Sequence, residues 1–417
     1  MSHAFLRSVL LIILLCSLLN TLGTPVALAS QPNAPHVVIG VGTAASCQTQ
    51  AAANALSTAV AGGGEISFNC GVAPVTLMVN TNATDQIVTI DGGGLVTLSG
   101  DNVRQIFLVF GSGKLTLNNL TLLDGANFGG AAVAVSTAQA SATINNTFLT
   151  SNDAGANNGG AIANVGLLTI TNSTLGANSS TGFGGAIFNN GGTVTISNTT
   201  IINNEAREGG GIWHSEGTVN IANSAIRSNR SSQAGGGLHI DTGIVTVVNS
   251  TFYDNRANGG GGAIYMRGNS LTITNATFMH NRADTAGALW NDAGATHVKN
   301  TIFNDSRTAD ESALSLNCDG PAVISDGRNI VSDMSCVPNP SNVGDLLGVD
   351  PKLEPFINAN GGPTRTFMLL ADSPAIDYAR NCPATDQRGV QRPVGADCDT
   401  GAVERAFGLY LPVVIRN

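Results

Sequence analysis

The sequence predicts an all-β protein whose chain winds into a single-stranded parallel β-helix of about ten coils. Three periodic sets of residues carry this prediction, and each returns every 25 to 27 residues. The first set is an asparagine after a β-type run: Asn119, Asn146, Asn172, Asn198, Asn223, Asn249, Asn275 and Asn300. The second is a three-residue segment, Gly followed by Ala or Gly and then by Ile or Leu, at 160–162, 185–187, 210–212, 236–238, 262–264 and 287–289. The third is Asn152, Asn178, Asn204, Asn229, Asn255 and Asn281.

Each period contains three short strand signals, for example 185–189, 193–197 and 199–203, which glycine or asparagine separates. A propeller blade needs about 40 residues, and leucine-rich repeats carry a different leucine pattern. We therefore expect three strands and three bends per coil, with coils stacked at about 4.8 Å. Asparagine suits a bend because it tolerates a left-handed backbone. Its amide can also bond the equivalent amide of the next coil.

The first 29 residues have the features of a secretory signal peptide. Arg7 precedes an apolar core at 9–19, and Ala27-Leu28-Ala29 is a small-residue cleavage site. Residues 30–46 are predicted to be a linker, and the alanine-rich segment 47–62 a short helix. The first coil of a β-helix exposes unpaired strand edges, so we expect this helix to cap it.

Seven cysteines become six when the signal peptide is removed. An even count in an exported chain favours disulfides, and six cysteines allow fifteen pairings. Neighbour pairing suits a solenoid, in which distant residues never meet, so we predict Cys47–Cys70, Cys318–Cys336 and Cys382–Cys398. The alternative is free, buried thiols.

The composition restricts the function classes. Loss of Arg7 with the signal leaves 18 basic against 28 acidic residues, a net charge of −10. This acidity argues against nucleic acid and anionic membrane surfaces as partners. After the signal, no apolar run reaches transmembrane length.

The repeats resemble those of polymorphic outer-membrane-protein adhesins. The resemblance lies in the Gly-Gly-Ala-Ile and Gly-Gly-Gly-Leu segments and in the Phe-x-x-Asn forms at 252–255 and 278–281, and it covers roughly residues 65–340. They are also similar to the broader pectin-lyase-like superfamily. The resemblance implies a right-handed parallel β-helix, which we place at 63–340.

The C-terminal part is richer in acidic residues and carries an ordered string of motifs. It reads Gly361-Gly362-Pro363-Thr364, then Ser373-Pro374-Ala375-Ile376-Asp377, Asp386-Gln387-Arg388-Gly389 and Asp399-Thr400-Gly401-Ala402. This string resembles the choice-of-anchor Q domain, which we place at 341–405 as a loop-rich cap. The resemblance implies export and surface association. Residues 406–417 form a separate tail, a sorting signal or a last strand.

The residue after each Ile or Leu of the second set should point outward by strand alternation. In the last five of the six coils these residues form one column of four aromatics and a histidine: Phe188, Trp213, His239, Tyr265 and Trp290. An exposed row of rings can stack on sugars. The alternative is cross-coil stacking that stabilises the sheet.

A second column follows the third asparagine set and holds Arg230, Arg256 and Arg282. Like charges stacked about 5 Å apart repel each other unless an anion relieves them. The column therefore suits carboxylates or sulfates of an acidic glycan. The alternative is a solvated corner, with Glu208, Asp254 or Asp284 as ion-pair partners.

The candidates for catalysis are few. The register places Asp254 near His280, and Asp241 lies near His239. A β-helix glycosidase needs two carboxylates about 5–10 Å apart, and no motif nominates a pair. The six histidines show no metal-ligand spacing, and we predict no cofactor, since Ca²⁺ has no support in the sequence.

We therefore expect a secreted or bacterial cell-surface protein, monomeric and non-catalytic, that adheres to or binds a polysaccharide or cell-surface glycan. The alternatives are a polysaccharide lyase or glycoside hydrolase, and a purely structural envelope protein.

Overall fold

The computed structural model describes residues 35–126, 128–321, 323–337 and 344–405. This part of the chain is an all-β parallel solenoid of about 11 turns with only two helices, which confirms the predicted fold class. The predicted signal peptide, the first residues of the predicted linker and the tail at 406–417 lie outside the described residues.

The segment predicted as a linker is already part of the solenoid. Strand His36–Ile39 pairs in parallel with Gly64–Phe68, so the first coil begins before the helix. The two helices, Ala44–Cys47 and Gln50–Gly62, lie between these strands. Thr49 caps the longer helix by accepting a hydrogen bond from the Ala52 amide at 3.1 Å. Its buried side packs into the main core through Leu56 and Val60.

The first face of the solenoid precedes the asparagine bend of each coil, and its strands pair in parallel from coil to coil. Ile87–Ser99 and Lys114–Leu123 continue through the bend and serve the second face as well. The strands of the first face are His36–Ile39, Gly64–Phe68, Ile87–Ser99, Lys114–Leu123, Ser141–Asn145, Leu167–Thr171, Thr193–Ser197, Thr218–Ala222, Ile244–Val248, Ser270–Thr274, Ala295–Lys299 and Ile324–Gly327.

The second face follows the bend, and its central residue points inward. Phe252, Phe278 and Phe303 stack inside it on successive coils, with ring centroids 4.9 and 4.8 Å apart. Its further strands are Val75–Met78, Phe148–Thr150, Thr174–Gly176, Thr200–Ile202, Ala225–Arg227, Thr251–Tyr253, Thr277–Met279, Ile302–Asn304, Ile330–Val331 and Leu346–Leu347.

The third face begins with the Ile or Leu of the second sequence set. Its strands are Asn82–Thr84, Phe107–Val109, Val133–Val135, Ile162–Asn164, Ile187–Asn190, Ile212–Ser215, Leu238–Ile240, Ile264–Met266, Leu289–Asn291 and Cys318–Asp319. Three shorter strands, Glu205–Ala206, Arg230–Ser231 and Arg256–Ala257, form a small sheet at the corner between the second and third faces.

The two asparagine sets differ in backbone conformation and in the side of the coil wall on which they lie. The first set has left-handed φ values between 46° and 54° and lies outside the coil. The third set is fully buried, and each amide from Asn152 to Asn255 donates to the carboxamide oxygen of the next coil, at 2.9 Å between Asn204 and Asn229. The predicted bonding between amides of successive coils therefore occurs inside the coil only in the third set, although Asn146 also donates to Asn119 on the outside.

The three predicted disulfides are all present. The Cα atoms of Cys47–Cys70, Cys318–Cys336 and Cys382–Cys398 are 5.7, 4.6 and 6.5 Å apart. Each closes a loop of fewer than 25 residues, as expected when only sequence neighbours meet.

The C-terminal segment, 353–405, packs along the flank of the last coils, whereas a cap would cover only the end. Thr364 donates to the carbonyl of Asn223 at 3.1 Å, and the amides of Asn249 and Asn300 donate to carbonyls of this segment at 2.7 and 2.9 Å. Phe367 meets Tyr253 edge to face at 5.2 Å. The outward side of the second face is apolar here, which provides the surface that this segment covers.

A second buried polar ladder runs inside the third face and ends on a histidine. Asn164 donates to Asn189 at 2.7 Å, and Asn189 lies 2.9 Å from Nδ1 of His214. If Nδ1 accepts this hydrogen bond, the imidazole is neutral. The His214 side chain is fully buried, and desolvation lowers its pKa to about 4.

We expect this histidine to make the protein less stable in acid. Its folded pKa lies below the unfolded value of about 6.5, so the unfolded chain binds more protons between pH 4 and 6.5. Stability is complete above this window and falls as the pH decreases through it, by on the order of 3 kcal/mol. His214→Asn should extend the ladder and flatten that part of a urea-unfolding pH profile. An unchanged slope in the variant contradicts this assignment.

Candidate functional site

The predicted arginine column forms at the corner between the second and third faces. Arg230 pairs in register with Arg256, Arg256 with Arg282, and Arg282 with Arg307. Arg307 was not among the predicted residues, because it follows Ser306, whereas each arginine of the earlier coils follows an asparagine. Its pairing with Arg282, and not a preceding asparagine, places Arg307 in the column. Four successive coils therefore place a guanidinium at one position.

The column has two differently occupied halves. Arg282 is ion-paired with both Asp254 and Glu311, and Arg307 lies 3.0 Å from Asp305. Arg230 is exposed and Arg256 half-buried. Within the described ranges, neither of these two makes an ion pair, and Nε of Arg256 is buried without a hydrogen-bond partner. Unmet positive charge is thus concentrated on two neighbouring coils.

A shallow cleft of about 150 Å³ lies between these two arginines. Besides the guanidinium groups it is lined by Glu205, the serine pair Ser231 and Ser232, and Asn258. Ser232 and Asn258 are exposed and offer polar groups beside the two cations, a set that suits a carboxylate or sulfate, whereas the buried Ser231 hydroxyl donates to backbone carbonyls. Glu205 stands next to Arg230 in the strand ladder and is the one acidic group in this lining.

A larger cleft of about 300 Å³ surrounds the occupied half of the column. Asp254 and His280 both line it, so the structure brings together one of the two residue pairs considered for catalysis. Asp254, His280 and Asp305 have left-handed φ values of 55°, 52° and 48°, and Nδ1 of His280 lies 2.7 Å from Asp305. Tyr253, Arg282, Arg307 and Glu311 complete the lining.

The charges in this larger cleft largely satisfy one another. Desolvation lowers the pKa of His280, against the opposing effect of Asp305. Desolvation and the neighbouring Arg230 lower the pKa of Arg282. Each of Asp254, Asp305 and Glu311 contacts a cationic or imidazole partner. The arrangement is suited to holding ion pairs, and its geometry designates no acid–base pair.

The predicted aromatic column is present in register. Phe188, Trp213, His239, Tyr265 and Trp290 pair on successive strands of the third face. The rings of Phe188, Trp213 and His239 stack, with centroids 4.9 and 6.3 Å apart. The Tyr265 ring is tilted against His239 at 4.8 Å and meets Trp290 edge to face at 5.5 Å. Cross-coil stacking, the alternative considered from the sequence, therefore occurs.

The expectation of an exposed row is wrong for the middle of this column. Trp213 is 9% exposed and His239 is 3% exposed. The connection before each strand folds over the column: the Phe183 ring lies 5.0 Å from Trp213, and Gly260 lets Trp290 approach so closely that a Cβ would clash with its ring. Phe188, Tyr265 and Trp290 remain partly accessible.

Asp241 and His239, the second pair considered for catalysis, engage other partners. Asp241 lies 3.2 Å from Arg267, and Nδ1 of His239 is 3.6 Å from Glu208. Desolvation lowers the pKa of His239 to about 4, so the buried imidazole is neutral at pH 7. This pair belongs to the packing of the third face.

Across the described residues, no helix combines the length and hydropathy needed to cross a membrane. In the same part of the chain, no group of three or more histidine, cysteine or acidic side chains is arranged to hold a metal ion.

Part of one coil matches a known family of repeats. Residues 249–267 match the Chlamydia polymorphic membrane protein repeat. The match spans less than one coil and includes a Phe-x-x-Asn form and a glycine-rich segment. Together with the solenoid it supports a β-helix repeat protein, and it points to an outer-membrane or cell-surface location. No curated protein and no solved structure matches significantly.

Proposed function

We propose that this protein is exported to the cell surface, where its arginine column binds an anionic polysaccharide without cleaving it. One observation carries the proposal: Arg230 and Arg256 occupy the same position on adjacent coils, and neither has an ion-pair partner among the residues that the structure describes. Stacked coils hold such charges about 4.8 Å apart. An extended polyanion relieves that repulsion at several coils simultaneously.

The attraction has to be local, because the chain as a whole carries a net charge of −9. Charged groups more than about 10 Å apart are largely screened at 0.1 M salt. A polyanion in contact with the column therefore experiences mainly the nearest guanidinium groups. The partly exposed rings of Tyr265 and Trp290 offer additional stacking to sugars that extend across the third face.

The test is binding to polygalacturonate, with neutral dextran as the uncharged comparison. We expect Arg230→Ala/Arg256→Ala to weaken binding to polygalacturonate at least about tenfold, since two charge-assisted contacts are lost. Arg104→Ala/Lys114→Ala is the matched control. It removes two exposed positive charges outside the column and should leave binding almost unchanged.

Three outcomes would redirect the assignment. Equal losses in both double variants would mean that only net charge matters. A larger loss in Trp290→Ala would move the ligand to the aromatic column. Release of reducing ends or unsaturated products by the wild type, abolished in Asp254→Asn, would favour a hydrolase or lyase.

The C-terminal segment resembles a choice-of-anchor domain, and we assign it to surface association. The segment reaches Tyr253 at the edge of the cleft around Arg282, but none of its residues lines the cleft between Arg230 and Arg256. Attachment and ligand binding therefore use separate surfaces in this proposal.

A further inference from the structure

The occupied half of the arginine column contains a carboxylate from outside the repeat. Glu311 belongs to the loop between Arg307 and Leu314, which pair as an antiparallel bridge. Its carboxylate contacts Nη1 of Arg282, while Asp254, from the coil itself, contacts Nη2. One of the two terminal nitrogens of this guanidinium therefore contacts a group that the repeating coils do not supply.

Hydrogen bonds fix the backbone of the loop that carries this glutamate, beside its exposed side chain. Thr308 donates to the carboxylate of Asp310 at 2.7 Å, and Ser312 contacts the same oxygen, so the loop has its own hydrogen-bond network. Hydrogen bonds from Ser312 and Thr308 lower the pKa of Asp310 to about 2. Glu311 itself adopts a left-handed backbone with φ of 65°, an unfavourable conformation for glutamate.

Glu311 also differs from Asp254 in exposure. Its side chain is 57% exposed, whereas those of Asp254 and Arg282 are 26% and 16% exposed. An exposed ion pair contributes little to stability, because water and salt compete with it. The Glu311 contact is thus the exchangeable one, and the Asp254 contact is the structural one.

We propose that Glu311 is a displaceable stand-in for the anionic group of the ligand and closes one end of the arginine column. This rests on the proposed function. In the closed form, a polyanion engages Arg230 and Arg256 only. Displacement of Glu311 extends the site to Arg282 on the next coil. The ligand class is a polysaccharide with closely spaced carboxylates, since a carboxylate already contacts Nη1 of Arg282.

The decisive variant is Glu311→Gln, which removes the charge and keeps the size of the side chain. We expect it to bind polygalacturonate about three- to tenfold more tightly than the wild type. One more arginine engages the polyanion, so the dependence of log affinity on log salt should steepen by about one.

Glu216→Gln is the matched control. Glu216 is an exposed glutamate with a left-handed φ of 58°, and it lies away from the arginine column. The substitution makes the same change in net charge on the same backbone conformation. It should leave both the affinity and the salt slope close to those of the wild type.

The failures of the two proposals are distinguishable. If the wild type binds through Arg230 and Arg256 but Glu311→Gln and Glu216→Gln behave alike, the stand-in is rejected and the proposed function survives. Weaker binding by Glu311→Gln also rejects it. If neither the wild type nor Glu311→Gln binds polygalacturonate, both proposals fall. Tighter binding to dextran sulfate than to polygalacturonate in Glu311→Gln would reject the carboxylate class.

Discussion

Asn204→Ala should lower the free energy of unfolding of the central coils by about 4 kcal/mol. The Asn204 side chain is fully buried in the middle of the third asparagine set. Its oxygen accepts from the backbone and the side-chain amide of Asn178, both at 2.9 Å. Its amide donates to Asn229 at 2.9 Å and to the carbonyl of Leu175 at 3.0 Å. Alanine removes all four bonds and leaves the Asn178 backbone amide unpaired.

Urea unfolding and hydrogen exchange of the neighbouring coils measure this loss. Asn204→Asp should be at least as damaging, because it keeps the shape but replaces the donor with a buried charge. Asn198→Gly is the control on the outer asparagine set. Glycine keeps the left-handed conformation there, and only a 3.3 Å bond is lost, so the cost should stay below about 1 kcal/mol. If the two substitutions lowered the free energy of unfolding equally, the buried asparagine ladder would contribute no more to stability than the outer set.

Asp386→Ala should detach the C-terminal segment from the flank. Asp386 is fully buried and accepts five hydrogen bonds, two from the Arg388 guanidinium at 2.9 and 2.6 Å, and three from backbone amides at 2.8 to 2.9 Å. The Arg388 side chain is only 7% exposed. Removing one partner of a buried pair leaves an uncompensated charge, which costs about 4 kcal/mol.

Limited proteolysis detects the detached segment, because its chain then becomes accessible between 353 and 405 while the coils stay resistant. Asp372→Ala is the control: this carboxylate lies on the same segment and pairs with Lys352 at 2.6 Å, but its side chain is 70% exposed. It should leave protease resistance unchanged. Global unfolding of Asp386→Ala, with no resistant core, would mean that the segment is required for the solenoid itself.

The columns were predictable because a solenoid converts sequence spacing into position. The alignments of Arg230 with Arg256 and of Trp213 with His239 follow from the period, and both are confirmed in the strand register. The predicted arginine column lacked only Arg307, because Ser306 replaces the asparagine that precedes each of the other three arginines. The partnership of Arg282 with Glu311 was not predictable, since the loop of Glu311 lies outside the repeat.

Exposure was less predictable than register. Alternation correctly directs Trp213 away from the core, yet its exposure depends on Phe183, which comes from the connection of the preceding coil. The conformation of such a connection depends on how glycine-rich segments pack, and no periodic signal reports it. The helix at Gln50–Gly62 similarly shows its own alanine-rich pattern but not that a strand precedes it.

By itself, the sequence determined the solenoid, its period, the three disulfides and which side chains share a column. These features depend on local residue preferences that recur at the period of the coil. Parallel strand pairing then places the equivalent residues of successive coils side by side. Only the tertiary structure decided which arginines keep unpaired charge, which aromatic rings are covered, and that the C-terminal segment lies along the flank. These depend on contacts between segments that share no period, such as Asn249 with Thr385, where the bond links residues 136 positions apart.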